Sequence, residues 1–376
     1  MNDNITPYVR YIGADDKDLD LFESQYVVPQ GISYNSYVIT DEKIAVMDTI
    51  DQRKTDEWTA RLEEALEGRT PDYLIVQHME PDHAANIGWF AEKYPEATIV
   101  ASAKAIQMMP QFFEEVNFAG RTQTVKEGDT LCLGQHTLKF IMAPMVHWPE
   151  VMLTYEESEK ILFSADAFGK FGALCHEGEW IDEARRYYFN IVGKYGAQVQ
   201  ALLKKAAGLD IAIICPLHGP VLKENLGYYI GLYDTWSKYE PETEGVVVAY
   251  ASIHGNTAAT ARRMAEILSE KGAAEVMLID LCRDDMALAV ESAFRYSKMI
   301  VAASSYDAGV FPPMFDFLHH LQIKNFQKRR VGIIENGSWA PTAGRMMSCM
   351  LSEMKNMEIM EHMVTIKSSM KKADLL

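Results

Sequence analysis

Residues 78 to 83 read His78-Met79-Glu80-Pro81-Asp82-His83, four potential metal ligands within six positions. They follow the apolar run Tyr73-Leu74-Ile75-Val76, which has the length and composition of a buried strand. Imidazole and carboxylate groups leaving a strand end together can converge on metal. Mixing both ligand types suits a binuclear, redox-capable site better than a structural zinc site. Three further candidates share this context. His147 follows the apolar stretch Leu138 to Met142, Asp166 follows Leu162-Phe163, and His218 lies between Ile211 to Leu217 and the turn Gly219-Pro220. A single His or Asp after a strand is usually a cap or a hydrogen-bonded loop residue. The repeated order of strand, ligand and turn favours a shared site.

The set His78, Glu80, Asp82, His83, His147, Asp166 and His218 resembles the ligand pattern of flavodiiron proteins, whose first domain has the metallo-β-lactamase fold. Hydrolytic zinc members of that fold usually carry a third histidine where this chain has Glu80. The exchange gives three carboxylates and four imidazoles, a harder and more negative set that favours iron over redox-inert zinc. The resemblance implies that His78, Glu80 and His147 bind one iron and that Asp82, His83 and His218 bind the other, with Asp166 as the bridge. Family members differ in whether the residue matching His83 touches metal. Tyr26, Gln25 and Trp148 are expected at the pocket mouth from the same pattern.

A diiron reductase needs a nearby source of electrons, and the second half of the chain offers a place for one. Gly245 to Ala251 reads as a buried strand, followed by Ser252-Ile253-His254-Gly255-Asn256-Thr257 and a helix-like stretch from Ala258 to Lys271. Backbone N–H groups at a helix start, together with hydroxyl side chains, can surround a phosphate. Neither Gly-x-x-x-x-Gly-Lys nor Gly-x-Gly-x-x-Gly is present, which leaves the flavodoxin-like FMN loop as the closest match. Two later loops suit the flavin itself. One carries Ser304, Ser305, Tyr306, Asp307 and Gly309 after the strand-like Met299 to Ala303. The other carries Asn336, Gly337, Ser338 and Trp339 after Val331 to Ile334. Tyr306 and Trp339 are expected to cover the isoalloxazine, with Asn336 to Ser338 hydrogen-bonding its polar edge. His254 and the Ser304-Ser305 pair depart from the family's commoner residues.

The expected fold is α/β: a metallo-β-lactamase-like αβ/βα sandwich over residues 1–240, then a flavodoxin-like doubly wound parallel sheet over residues 245–376. A length of 376 residues exceeds what one core normally supports. The polar, proline-containing stretch Ser237 to Glu244 reads as the junction. Near the N-terminus, Gly31 to Ile39 and Ile44 to Thr49 read as a hairpin, with Asp48 either orienting a ligand histidine from behind or capping a turn. After the last strand candidate, His362 to Lys367, nine residues remain, so a final flavodoxin helix is expected to be short or missing.

Composition narrows the partners. No apolar run reaches membrane-spanning length and no signal-peptide pattern opens the chain, so a cytoplasmic protein is expected. The five cysteines, Cys132, Cys175, Cys215, Cys282 and Cys349, form no Cys-x-x-Cys pair and read as buried, reduced thiols. No rubredoxin or ferredoxin module is thus expected within these residues, and electrons would come from a separate rubredoxin or similar donor with its reductase. A net charge of −17 disfavours nucleic acid. An acidic donor would need a local basic patch, and Lys324, Lys328, Arg329 and Arg330 are the candidates. The resemblance further implies a head-to-tail homodimer or a dimer of dimers, with the flavin of one subunit facing the metals of the other.

The resulting expectation is an oxidoreductase in which FMN passes electrons to two iron ions that reduce dioxygen to water, the favoured activity, or nitric oxide to nitrous oxide. The alternative is a metallo-β-lactamase-type hydrolase with a flavodoxin-like regulatory module.

Overall fold

The computed structural model describes residues 4–176 and 178–372. The chain forms two compact units: Met1–Tyr187 with Ala197–Tyr233, and Tyr188–Gly196 with Asp234–Leu376. The division therefore falls at Tyr233/Asp234, inside the helix Leu226–Ser237, rather than in the polar stretch that follows it. The short segment 188–196, expected in the first domain, belongs to the second unit.

Two sheets build the first unit. One has the strand order Val9–Tyr11, Tyr37–Thr40, Ile44–Met47, Tyr73–Val76, Thr98–Ser102, Thr122–Val125. It is antiparallel among its first three strands and parallel thereafter. The central strand Tyr73–Val76 is buried from Leu74 to Val76, as its continuous apolar run requires when both neighbours are parallel. The second sheet runs Thr130–Cys132, Thr137–Met142, Met152–Glu156, Ile161–Phe163, Ile213–Cys215. Ile39, Met47, Ile75 and Val100 from the first sheet and Phe140, Met152, Phe163 and Cys215 from the second belong to one core cluster. The candidate ligands all follow strands of these two sheets. Residues 31–39 do not form one strand. Ile32–Tyr34 pairs with Ala14–Asp16, whereas Tyr37–Thr40 forms the hairpin with Ile44–Met47.

In the second unit the strands run Val276–Asp280, Thr243–Ala251, Tyr296–Tyr306, Arg330–Asn336, all parallel. The fifth position is shared by two short strands, Glu358–Ile359 and Val364–Ile366, which both pair with Arg330–Asn336. By chain order this is 2-1-3-4-5, the flavodoxin-like arrangement, whose switch point lies between the first and third strands. Alternate side chains Val246, Val248 and Tyr250 pack with Ala258 and Ala261 of the helix Asn256–Glu270. No helix of eight or more residues follows Val364–Ile366 among the described residues, and residues 373–376 of the expected tail lie outside them.

The segment Tyr188–Gly196 is tied into the second unit by specific contacts. Phe189 stacks on Phe294 with ring centroids 4.4 Å apart, and Asn190 Nδ2 donates to Ala287 O at 3.1 Å. Lys324 Nζ, in turn, donates to Asn190 O at 2.6 Å. These contacts also bear on the basic cluster that an acidic donor would need. Lys324 and Arg329 are buried, the latter donating to the carbonyls of Tyr296, Tyr239, Gln327, Lys328 and Phe294. Carbonyls left over at a helix end and in the adjoining loops need donors, and a five-donor guanidinium serves several at once. Lys328 and Arg330 are neutralised by Glu240 and Glu358 at 2.7 and 2.9 Å. The cysteines also differ from expectation. All are free thiols, but only Cys215 is buried, while Cys132, Cys175 and Cys349 are exposed. Among the described residues, no helix is long and apolar enough to cross a membrane.

Candidate metal centre

Each ligand candidate is set by backbone that other residues pin. Glu80 caps the short helix Pro81–Ala84, whose proline at the first position fixes the entry and places Asp82 and His83 in one turn. Thr49 donates through N and Oγ1 to His83 O at 2.9 and 2.8 Å. Asp48 works on the main chain, accepting from Gln77 N and Gln77 Nε2 at 2.7 and 2.9 Å and from His78 N at 3.4 Å. It therefore fixes the loop, the second of the two roles the sequence left open. Asn35 Nδ2 donates to Pro216 O and Gly219 O, bracketing His218, with both bonds at 2.8 Å. Gly219 adopts φ +78°, and a Cβ there would lie 2.7 Å from Lys170 Cγ, so the turn after His218 admits only glycine comfortably. Non-glycine residues in the left-handed region also flank the ligands, namely Asp48, Met145, Ala165 and Phe168. Such conformations persist where surroundings over-determine them, often at functional sites.

All seven side chains come together in two groups. His78, Glu80, His147 and Asp166 form one, and Asp82, His83 and His218 form the other, with ligand atoms in each group lying within 4.8 Å of one another. Asp166 spans both. Its Oδ2 lies 3.2 Å from His78 Nε2 and 3.2 Å from His147 Nε2, while Oδ1 lies 3.2 Å from His83 Nε2 and 3.7 Å from His218 Nε2. Glu80 Oε2 sits 3.0 Å from His147 Nε2, and Asp82 Oδ2 sits 3.2 Å from His218 Nε2. His83 Nε2 and His218 Nε2 are 3.1 Å apart, so His83 points into the cluster rather than away from it.

The chemistry of this set fits metal. His147 Nε2, Asp166 Oδ1 and both oxygens of Asp82 are buried without a hydrogen-bond partner, although ion-pair distances surround them. Atoms that crowd together without hydrogen-bond angles face a common point. A buried polar atom left so is costly unless something else occupies that point. Charge tells the same story. Burial disfavours the His147 imidazolium, yet Asp166 and Glu80 outweigh it and lift its pKa to about 9. Burial also pushes Asp82 up to about 7 against the pull of His83. Asp166 is held well below the usual carboxylate range because His78, His147 and His83 outweigh its burial. Protons on imidazoles thus balance the carboxylates here, a role that metal cations would take over.

Aromatic rings wall the cluster. Phe22 and Tyr187 meet His218 edge-on at 5.4 and 5.5 Å, and Trp148 meets His78 edge-on at 5.3 Å. Tyr26 is buried one ring further out, 5.9 Å from Phe171. Gln25 is exposed and donates to Glu23 Oε2 at 3.1 Å. Sequence reasoning missed Glu150, which is buried and lies 2.9 Å from His78 Nδ1. It also missed Ser33, whose carbonyl lies 2.7 Å from His218 Nδ1. Only the proximity of Glu150 to His147 in the sequence could have drawn notice to it.

The flavin-loop candidates gather at the carboxyl ends of the second unit's strands. Gly255 caps the helix Asn256–Glu270 at φ +87° with no side-chain cap, leaving its first N–H groups open, and Ser252 Oγ accepts from Gly255 N at 3.1 Å. Thr257 Oγ1 and Ser304 Oγ are 2.9 Å apart, joining the first two loops. The middle loop is tighter than the sequence implied: Ser304 to Tyr306 continue their strand, and Tyr306 pairs with Gly309 across a turn at Asp307 and Ala308. Both turn residues have positive φ, as two-residue hairpins prefer. Ser305 Oγ accepts from Thr342 N and Ala343 N. Asn336 exchanges two hydrogen bonds with the Ser368 backbone, and Ser338 Oγ pairs with Ser368 Oγ at 2.9 Å. Their expected flavin-edge role is therefore shared with holding the tail. Ile253, Tyr306 and Trp339 are exposed at 40%, 45% and 91%, one apolar side chain on each loop, which suits a planar aromatic ligand.

Comparison with known proteins agrees with this geometry. Residues 32–219 match the ODP family beta lactamase. An uncharacterised protein of Methanocaldococcus jannaschii is 31% identical over 319 residues, covering 83% of this chain and 80% of its own length. The anaerobic nitric oxide reductase flavorubredoxin of Aliivibrio fischeri is 29% identical, covering 90% of this chain and 70% of its own. The rubredoxin oxygen:oxidoreductase of Desulfovibrio gigas superposes with TM-score 0.92 at 25% identity over 99% of this chain and 94% of that one. The flavodiiron protein of Giardia intestinalis shares the fold with TM-score 0.91 at 24% identity, covering 100% and 93%. With the ODP-type β-lactamase match, the two-sheet and flavodoxin-like architecture and these relatives in agreement, the chain belongs to the flavodiiron protein family.

Proposed function

We propose that this protein is an oxygen and nitric oxide reductase that takes electrons from an external rubredoxin-type donor through FMN to a diiron centre. The observation that carries this reading is Asp166, which offers one oxygen to each histidine group at 3.2 Å. When bound, two irons and FMN together would supply the electrons for four-electron reduction of dioxygen to water or two-electron coupling of nitric oxide to nitrous oxide. His78, Glu80 and His147 would hold one iron, Asp82, His83 and His218 the other, and Asp166 both. Three carboxylates in a buried cage stabilise the higher oxidation state of iron, a preference that zinc cannot use. The edge-on rings of Trp148, Phe22 and Tyr187 keep bulk water from the imidazoles. In the second unit, the open N–H groups beyond Gly255 and the hydroxyl of Thr257 would receive the FMN phosphate, with Tyr306 and Trp339 against the ring system.

Similar proteins carry names for both gases, so the test measures both. Protein made with ample iron should hold about two irons and one FMN per chain, run as a homodimer on size exclusion, and consume dioxygen faster than nitric oxide with reduced rubredoxin. Consumption of neither gas by iron- and FMN-replete protein defeats the proposal, and a faster nitric oxide rate reverses the preference. Fractionation should place the protein in the cytoplasm. The hydrolase alternative has no support from the relatives or from the carboxylate-rich ligand set.

A further inference from the structure

The two candidate metal positions are matched in their nearest groups. Each has one carboxylate of its own and two imidazoles, Glu80 with His78 and His147, Asp82 with His83 and His218, and each receives one oxygen of Asp166. Behind those groups the match ends. His78 Nδ1 meets the carboxylate of Glu150 at 2.9 Å, and the same oxygen accepts Met79 N–H at 2.9 Å. Both side chains are 0% exposed. On the other side, His218 Nδ1 meets a neutral carbonyl, Ser33 O, at 2.7 Å, and His83 Nδ1 has no hydrogen-bond partner.

We propose that Glu150 is a positioning residue that makes the two metal positions electronically unequal, so that the ion at His78, Glu80 and His147 is bound more tightly and is harder to reduce than its neighbour. This rests on reading the cluster as a binuclear metal centre. A carboxylate accepting the Nδ1 proton fixes the tautomer with the Nε2 lone pair facing the ion and raises electron density at that nitrogen. Burial keeps the charge unscreened, so it favours the more positive ion. A neutral carbonyl fixes a tautomer without adding charge. The nearest groups balance between the two positions, and behind them Glu150 sets a carboxylate against a ring nitrogen where His218 has a neutral carbonyl.

Glu150→Gln keeps shape and an acceptor oxygen while removing the charge. Cobalt(II) added to metal-free protein should bind in two resolved phases. In Glu150→Gln the tighter phase should weaken by about 10–100-fold while the weaker one stays put. In iron-loaded protein, a dithionite titration followed by electron paramagnetic resonance should show the two iron potentials drawing together while the FMN potential is unchanged. Asp48→Asn is the control, because Asp48 holds the backbone of Gln77 and His78 without touching an imidazole. It should leave the two phases apart. Unaltered phases in Glu150→Gln, or equal collapse in both variants, overturn the role of Glu150. A measurement on the unaltered chain does not depend on variant folding: the hyperfine-shifted, slowly exchanging Nδ1–H resonance of His78 should appear with the first equivalent of cobalt, and its appearance only with the second overturns the proposal. Binding of a single cobalt by the unaltered protein would instead refute the binuclear reading itself.

Discussion

The two candidate sites occupy the same kind of place, the carboxyl ends of strands, yet they are built in opposite ways. In the first unit, His78 and Asp166 are 0% and 1% exposed, and the backbone around them is pinned by Asp48, Thr49 and Asn35. In the second unit, Ile253, Tyr306 and Trp339 project from loops and are substantially exposed. A metal ion brings charge and little surface, so the protein must supply a dry cage whose polar atoms are already in place. A flavin brings its own large apolar surface, so loops can stay open until it covers them. Under the proposed function the contrast predicts that iron and FMN are lost independently, and that the candidate metal site depends more on buried polar contacts.

The largest expected effect comes from Asp166→Ala, which removes the group shared by both histidine sets. Iron analysis should show loss of both irons and gas consumption should fall by more than about 100-fold, beyond the usual cost of an outer contact. Flavin absorbance should remain, and simultaneous loss of flavin would break the independence of the two sites. Thr257→Asp tests the other side by placing an anion where the phosphate would sit. Charge-assisted hydrogen bonds are worth about 1.5–3 kcal/mol each, so FMN affinity should fall by at least about tenfold with iron retained. A flavin-replete variant would show that the loop is wrongly placed.

Two effects on stability compare how each unit tolerates loss of a buried hydrogen-bond partner. Arg329→Ala strands several buried carbonyls in the second unit, each costing about 1–3 kcal/mol when left unpaired, and should lower stability in urea unfolding while leaving the donor KM unchanged when flavin is bound. A rise in that KM with intact stability would restore the docking role. Arg53→Ala removes the 2.6 Å partner of buried Asp16 in the first unit. The side chain of Arg53 is 47% exposed, so the cost should be only about 1 kcal/mol. Burial raises the Asp16 pKa, but Arg53 and the Asp18 N–H outweigh it and hold it below 3.8. A depressed carboxylate contributes stability above its unfolded value and loses it as pH falls through the folded one. The gap between Arg53→Ala and the unaltered protein should therefore be full at neutral pH and narrow below about pH 4. A gap that widens in acid would refute this assignment.

The candidate ligands were legible because strand-like apolar runs precede them and four of them sit within six residues. Their identity needs no distant partner to be recognised. What holds them was not legible, since Glu150 reaches His78 across 72 residues and Ser33 reaches His218 across 185. Asp48 was legible but its task was not, because sequence cannot say whether a carboxylate at a strand end turns toward main chain or ring. The parallel sheet of the second unit was readable from its apolar runs. The burial of Lys324 and Arg329 in its basic cluster was not legible, for it depends on contacts with residues as distant as Asn190. The hairpin at Tyr306 hid in a stretch whose turn residues, Asp307 and Ala308, carry no glycine at either left-handed position.

The placement of Tyr188–Gly196 gives the molecule an interlaced covalent plan. The chain enters the second unit, leaves it again, and returns at Asp234. No single peptide cut separates the two units, and a fragment beginning at residue 245 would lack the Phe189 ring that stacks on Phe294 and the Asn190 amide that reaches Ala287. An exchange of the second unit that kept these contacts would have to carry the nine residues Tyr188–Gly196 with it from the middle of the first.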